Sequence, residues 1–141
     1  MKKIGLLFVI CCMLFSVAHL SVAHAGNSAV KQAYMFGFAA SFTDSVVHFT
    51  EIQQLDSVYF DSKTKFLKRR DAYSNQLRDY LAQKQNMPHR TCIVIYGDNR
   101  KKLEKKYLKM RRKYSSSQRN NFDIRTLTPA DFSFRQFKIE E

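Results

Sequence analysis

Cysteine is scarce in this chain, and its placement removes it from most chemistry. Cys11 and Cys12 lie near the start, and only Cys92 lies beyond them. A lone cysteine cannot close an internal disulfide, so the domain has to hold together by packing. Histidine is as scarce, with His48 and His89 the only two beyond residue 25. No C-x-x-C or H-x-x-x-H spacing is present, so no metal site and no cofactor is indicated. Cys92 as a nucleophile would need a histidine to activate it. His89, three residues away on an extended chain, points to the other face. His48 could approach only through space. Cys92 otherwise reads as an inert residue of an apolar strand.

Other absences exclude further classes. Gly97-Asp98-Asn99-Arg100-Lys101-Lys102 lacks the second glycine and the G-K-[ST] end of a phosphate-binding loop. Asp98 also places negative charge where a phosphate would sit at a helix start. No facing pair of carboxylates for glycoside hydrolysis is visible, and no internal repeat. The long apolar run, residues 4–15, falls short of the ~20 residues that span a bilayer. It follows Lys2 and Lys3 and precedes Ala23-His24-Ala25. This is the pattern of a secretory signal peptide over residues 1–25, with cleavage expected after Ala25. Ile10 stands before Cys11, where a lipoprotein leader has a small residue. The expectation is a protein exported to the periplasm or the exterior, with one domain over residues 26–141. The leader's two lysines go with it, so the formal charge falls from +12 by two to +10.

What the chain does have is alternation and basic charge. In residues 34–42, Tyr34, Phe36, Phe38 and Phe42 fall on every second position, with Ala40 among them. Met35, Gly37, Ala39 and Ser41 make the other face small, which predicts a strand with a helix packed close against it. Thr43-Asp44-Ser45 is turn chemistry. Residues 46–52 return as the second arm of a hairpin, and Leu55, Val58, Tyr59 and Phe60 extend it after a kink. Asp61 and Ser62 offer helix caps. Phe66, Tyr73, Leu77, Tyr80 and Leu81 then recur at helical spacing, to about Lys84. Arg70 falls on this stripe. Either its stem lies on the core edge with the head in water, or it meets a hairpin carboxylate or a ligand anion.

Pro88 ends that region. Cys92-Ile93-Val94-Ile95-Tyr96 is continuously apolar, as a central strand covered on both faces would be. Asp98 or Asn99 can cap the next helix. There Leu103, Tyr107, Met110 and Tyr114 make one narrow apolar stripe. Ser115 to Ser117, with Asn120 and Asn121, end it in a polar loop. Residues 122–127 alternate as a further strand, which makes a βαβ crossover with parallel strands. From about Pro129 a tail carrying Phe132, Phe134, Phe137 and Ile139 is too apolar to stay free. The order is β-β-α-β-α-β. The expected fold is α+β, one mixed sheet with both helices on one face.

The run Phe36-Gly37-Phe38-Ala39-Ala40-Ser41-Phe42-Thr43-Asp44-Ser45, the Cys92-to-Gly97 strand with its basic helix, and Thr128-Pro129-Ala130-Asp131-Phe132 resemble small exported proteins of gut and oral anaerobic bacteria with no characterised role. The resemblance implies export and a compact α+β domain. It carries no catalytic residue to this chain.

Charge is the one excess. Residues 63–90 and 100–113 hold 17 of the 22 basic residues beyond the leader, whereas residues 26–62 are net −3. Such asymmetry recruits anions, whether nucleic acid, lipid heads or acidic glycans, or simply solvates a surface. The candidate anion-binding residues are Arg70, Arg100, Lys101, Lys105, Lys109 and Arg112. The reading that follows is a non-enzymatic binding module for an anionic partner, a polyanion or an envelope protein. The alternatives are a small hydrolase using Cys92 and His48, or an assembly component of the cell envelope.

Overall fold

A computed structural model describes residues 28–118 and 121–138. The expected leader, Asn120 and Ile139 lie outside the described residues. The elements run β1 (Ser28–Ala40), β2 (Val46–Thr50), β3 (Gln53–Asp61), α1 (Arg70–Lys84), β4 (Thr91–Gly97), α2 (Arg100–Ser115) and β5 (Asp123–Leu127). Among the described residues the fold is α+β, a mixed five-stranded sheet with two helices. Neither helix is long and apolar enough to cross a membrane.

β1 is the centre of the sheet. At Tyr34 and Met35 it pairs with β3 and with β4, and at Phe38 and Ala39 with β2 and with β4. A strand has two edges, so β2 and β3 share one and β4 takes the other. β2 and β3 are the two halves of the expected second arm, kinked at Glu51 and Ile52. β5 then pairs with β2 in parallel. β1 begins six residues before the aromatic alternation, because residues 28–33 pair with β3. It also ends earlier. The Ser41 and Thr43 hydroxyls bond each other, and Asp44 accepts from the Val46 N–H. Phe42 is thereby thrown fully into solvent instead of joining the aromatic face.

The helices lie on opposite faces of the sheet, not on one. Side chains of a strand alternate between faces. Ala33, Met35 and Ala39 of β1 pack with Tyr73, Leu77 and Leu81 of α1. Phe36 and Phe38 pack with Leu103, Tyr107 and Tyr114 of α2. Both faces of β1 are apolar, so each needs a cover. The small face sets the approach of α1. A Cβ on Gly37 would stand 2.6 Å from Leu77 Cδ2 and 3.2 Å from the Phe134 ring. The close packing expected on that face is therefore real, and glycine is what admits it. The aromatic face takes α2 through ring contacts, Phe36–Tyr107 and Phe38–Tyr114 both at 5.0 Å between centroids.

β4 and β5 run in the same direction, as the crossover predicts, but they are not neighbours. β1 and β2 stand between them. β4 is thus an edge strand, not a central one. Its continuous apolarity reports cover on two faces by α1 and α2, which says nothing about how many strands flank it.

α1 starts at Arg70, later than the sequence suggests. Asp61 does accept backbone N–H bonds, but from Lys63 and Thr64 in a tight turn. The turn folds the chain back so that Leu67 bridges Phe60. Phe66 is left outside the helix and exposed. α2 is capped by Asn99, whose Oδ1 accepts from Lys102 N at 3.0 Å. The tail docks on α1, with Phe132 and Phe134 buried and Phe137 against Tyr73. Its main chain forms no strand there. The Gln53 amide donates to Phe132 O and accepts from Phe134 N, and Gln76 does the same with Arg135. Two glutamines take the place of a paired strand.

Candidate functional site

The basic residues of α2 sort by angle around the helix at 100° per residue. Leu103, Tyr107, Met110 and Tyr114 face the sheet. Lys101, Lys105, Lys109 and Arg112 fall on the opposite side and are exposed. They form one outward ridge along the helix. Arg100 stands apart from it, in a crevice shared with Glu51, Ile52, Glu104 and Leu108. Among the described residues the ion pairs are Arg90–Asp44 and Arg125–Asp123, so no cation of α2 is in one.

Arg111 is not part of the outward charge. Its guanidinium donates to Thr126 Oγ1 at 2.6 Å and to the Tyr107 hydroxyl at 3.2 Å, and it lies 5.5 Å from the centre of the Phe49 ring. It ties α2 to β5 and β2. Helical spacing puts it beside the apolar stripe and off the ridge, but its partners on β2 and β5 come from other elements and are not legible in the sequence.

Arg70 lies far from the ridge, at the start of α1, exposed and 5.8 Å from the Phe66 ring centre. It meets no hairpin carboxylate. That pairing exists, but the arginine is Arg90. Its side chain is 3 % exposed, and its guanidinium donates to Asp44 Oδ2 at 2.6 Å and to Val46 O at 2.5 Å. The fork of one guanidinium therefore holds the β1–β2 turn against the start of β4. The Arg90 bond, with the Val46 N–H, keeps the Asp44 carboxyl below its ordinary range.

His48 and Cys92 do share a face, since both flank Ala39. They flank it from opposite edges, two strand spacings or about 10 Å apart. Their protonation runs against a nucleophile–base pair. Burial, aided by the nearby Arg90 and Arg125 charges, lowers the His48 pKa to about 4. Burial pushes the Cys92 thiol up to about 11. Cys92 instead donates a weak bond to Arg90 O. No three His, Cys, Asp or Glu side chains are placed to hold a metal ion among the described residues.

Two hollows border β4. A hollow of about 540 Å³ is lined by Phe66, Arg69, Arg70, Ile93 and Val94 among others. A second of about 250 Å³ is lined by Phe38, Phe42, Thr91, Ile93 and Tyr114 among others. In comparisons with known proteins, no family model, no curated protein and no solved structure matches the chain.

Proposed function

We propose that the protein is an exported, non-enzymatic binding module of the bacterial envelope or exterior that holds an anionic partner on the outer face of α2. The observation that carries this reading is the ridge of Lys101, Lys105, Lys109 and Arg112, exposed and without an ion-pair partner among the described residues. Solubilising helix charge usually mixes signs, with acid and base one turn apart. Here Glu104 is the sole acid of the helix and lies off the ridge, in the crevice with Arg100. Like charges one turn apart destabilise a helix, and a bound polyanion relieves that repulsion. The leader pattern of residues 1–25 supports export.

The test takes the protein as the cell exports it, reads its N-terminus by mass spectrometry, and titrates it with inorganic polyphosphate over a range of salt. The expected chain starts at Gly26 and binds with an affinity that falls steeply as salt rises. Changing Arg100, Lys101, Lys105, Lys109 and Arg112 to glutamate weakens binding by about tenfold or more. No binding at low salt, or binding indifferent to those changes, removes the reading.

A further inference from the structure

β4 is an edge without the usual protections. Edge strands are ordinarily blunted by charge, proline, a bulge or brevity. The opposite side of the sheet follows that rule, since β5 is five residues long and carries Asp123 and Arg125, and β3 carries Asp56 and Asp61. β4 is Thr91-Cys92-Ile93-Val94-Ile95-Tyr96-Gly97, with no charge and no proline. It runs against β1 through seven consecutive pairs with no register shift. Among the described residues no strand pairs with its other side.

The relief beside that edge fits an added strand. Ile93 and Val94 are consecutive, so their side chains point to opposite faces. One hollow touches both, which places it along the strand's open edge. Ile93 is 44 % exposed and also lines the second hollow, with Phe42 and Tyr114 on the α2 face. An extended segment laid on β4 would drop alternate side chains toward Phe66 on one face and toward Phe42 and Tyr114 on the other.

The charge around the edge selects the segment. Glu104 and Leu108 share a crevice with Glu51 and Ile52, and Arg111 reaches Thr126, so that flank of α2 looks toward β2 and β5. By the 100° rule the other flank, toward β4, carries Lys102, Lys106 and Lys113, and no acid. On the α1 face the hollow has Arg69 and Arg70 against one acid, Asp71. A second copy pairing edge to edge across a two-fold axis would press these lysines against their own duplicates, in a strongly basic chain. We propose that the free edge of β4 receives an extended, acidic segment of another polypeptide as a sixth strand. The inference rests on the anionic-partner reading for the sign of the partner's charge and adds that the partner is a polypeptide held by its backbone.

The experiment titrates the exported protein with a capped seven-residue peptide alternating glutamate and valine, matched to the length of β4. A second peptide has proline in place of the middle valine, which removes a ladder donor at equal charge. Amide hydrogen exchange is followed by NMR. The alternating peptide is expected to bind and to slow exchange in β4, and the proline peptide to bind about tenfold more weakly. Changing Lys102, Lys106 and Lys113 to glutamate is expected to abolish binding of the first peptide while leaving the fold intact by the same spectra. Equal binding of both peptides would show that charge alone is read, which overturns the sixth strand and leaves the polyanion reading standing. Polyphosphate binding without peptide binding overturns it in the same way, and binding of neither removes both. A peptide-free dimer with protected β4 amides would make a second copy the occupant and overturn the proposal as well.

Discussion

Arg90 and Asp44 meet at 2.6 Å across 46 residues of sequence, with the arginine side chain 3 % exposed and the carboxylate 40 % exposed. The asymmetry makes the arginine the dependent partner. Asp44 can recover water when the pair is broken, whereas Arg90 cannot. Changing Arg90 to methionine leaves Val46 O without its donor and is expected to cost about 2 kcal/mol. Arg90→Lys restores the charge but not the two-pronged bond, and is expected to recover only part of the loss. Urea unfolding midpoints measure both. A neutral Arg90→Met would show that the pair does not hold the turn.

His48 makes stability depend on pH. Its folded pKa is lowered from 6.5 to about 4, so in that window the unfolded chain binds the extra proton. Stability contributed by this site is therefore present above about pH 6.5 and is lost as pH falls toward 4, by up to about 3 kcal/mol. Among the described residues the buried His48 Nδ1 has no hydrogen-bond partner, and Asp44, Asp123, Arg90 and Arg125 supply the nearby charge. Unfolding measured from pH 7 to pH 4 should show the slope, and His48→Leu should flatten it. A slope that survives the substitution belongs to other groups.

Gly37 carries no side chain because Leu77 already occupies the space. Gly37→Ala is expected to destabilise by about 1–3 kcal/mol, the usual cost of overpacking. Leu77→Ala in the same chain should return part of it, because the two changes share one contact. Thermal unfolding of the two single variants and the double variant closes the cycle. Additive losses would mean that Leu77 and the new methyl do not meet.

Cys92 is expected to react slowly. A thiol moved from 9.0 to about 11 has about a hundredfold less thiolate near neutral pH. Alkylation of the folded protein by iodoacetamide should lag that of the urea-unfolded protein by at least that factor. Rapid labelling of the folded protein would return Cys92 to consideration as a nucleophile.

The helices and strands were legible wherever period and burial agree. Leu103, Tyr107, Met110 and Tyr114 announce the sheet-facing side of α2, and they lie there. The small face of residues 35–41 announces a closely packed helix, and Gly37 with Leu77 is that contact. The start of α1 was less legible. Asp61 serves a turn as readily as a helix cap, because both uses present free backbone N–H groups to the same carboxylate. Spacing around α2 separates Arg111 from the outward residues, but its bond to Thr126 and its place over Phe49 could not be read, since both reach it from other strands.

Local physics therefore determined which residues could make strands, which side of each helix is apolar, and where the positive charge accumulates. Only the tertiary structure decided that Arg90 and not Arg70 meets the hairpin carboxylate, that the helices take opposite faces, and that β4 lies at an edge. The reason is that periodicity reports the environment above and below a strand. It carries no information about the strand beside it, which is chosen by pairing between distant parts of the chain. The unprotected edge of β4 and the lysines that flank it belong to that second kind of knowledge.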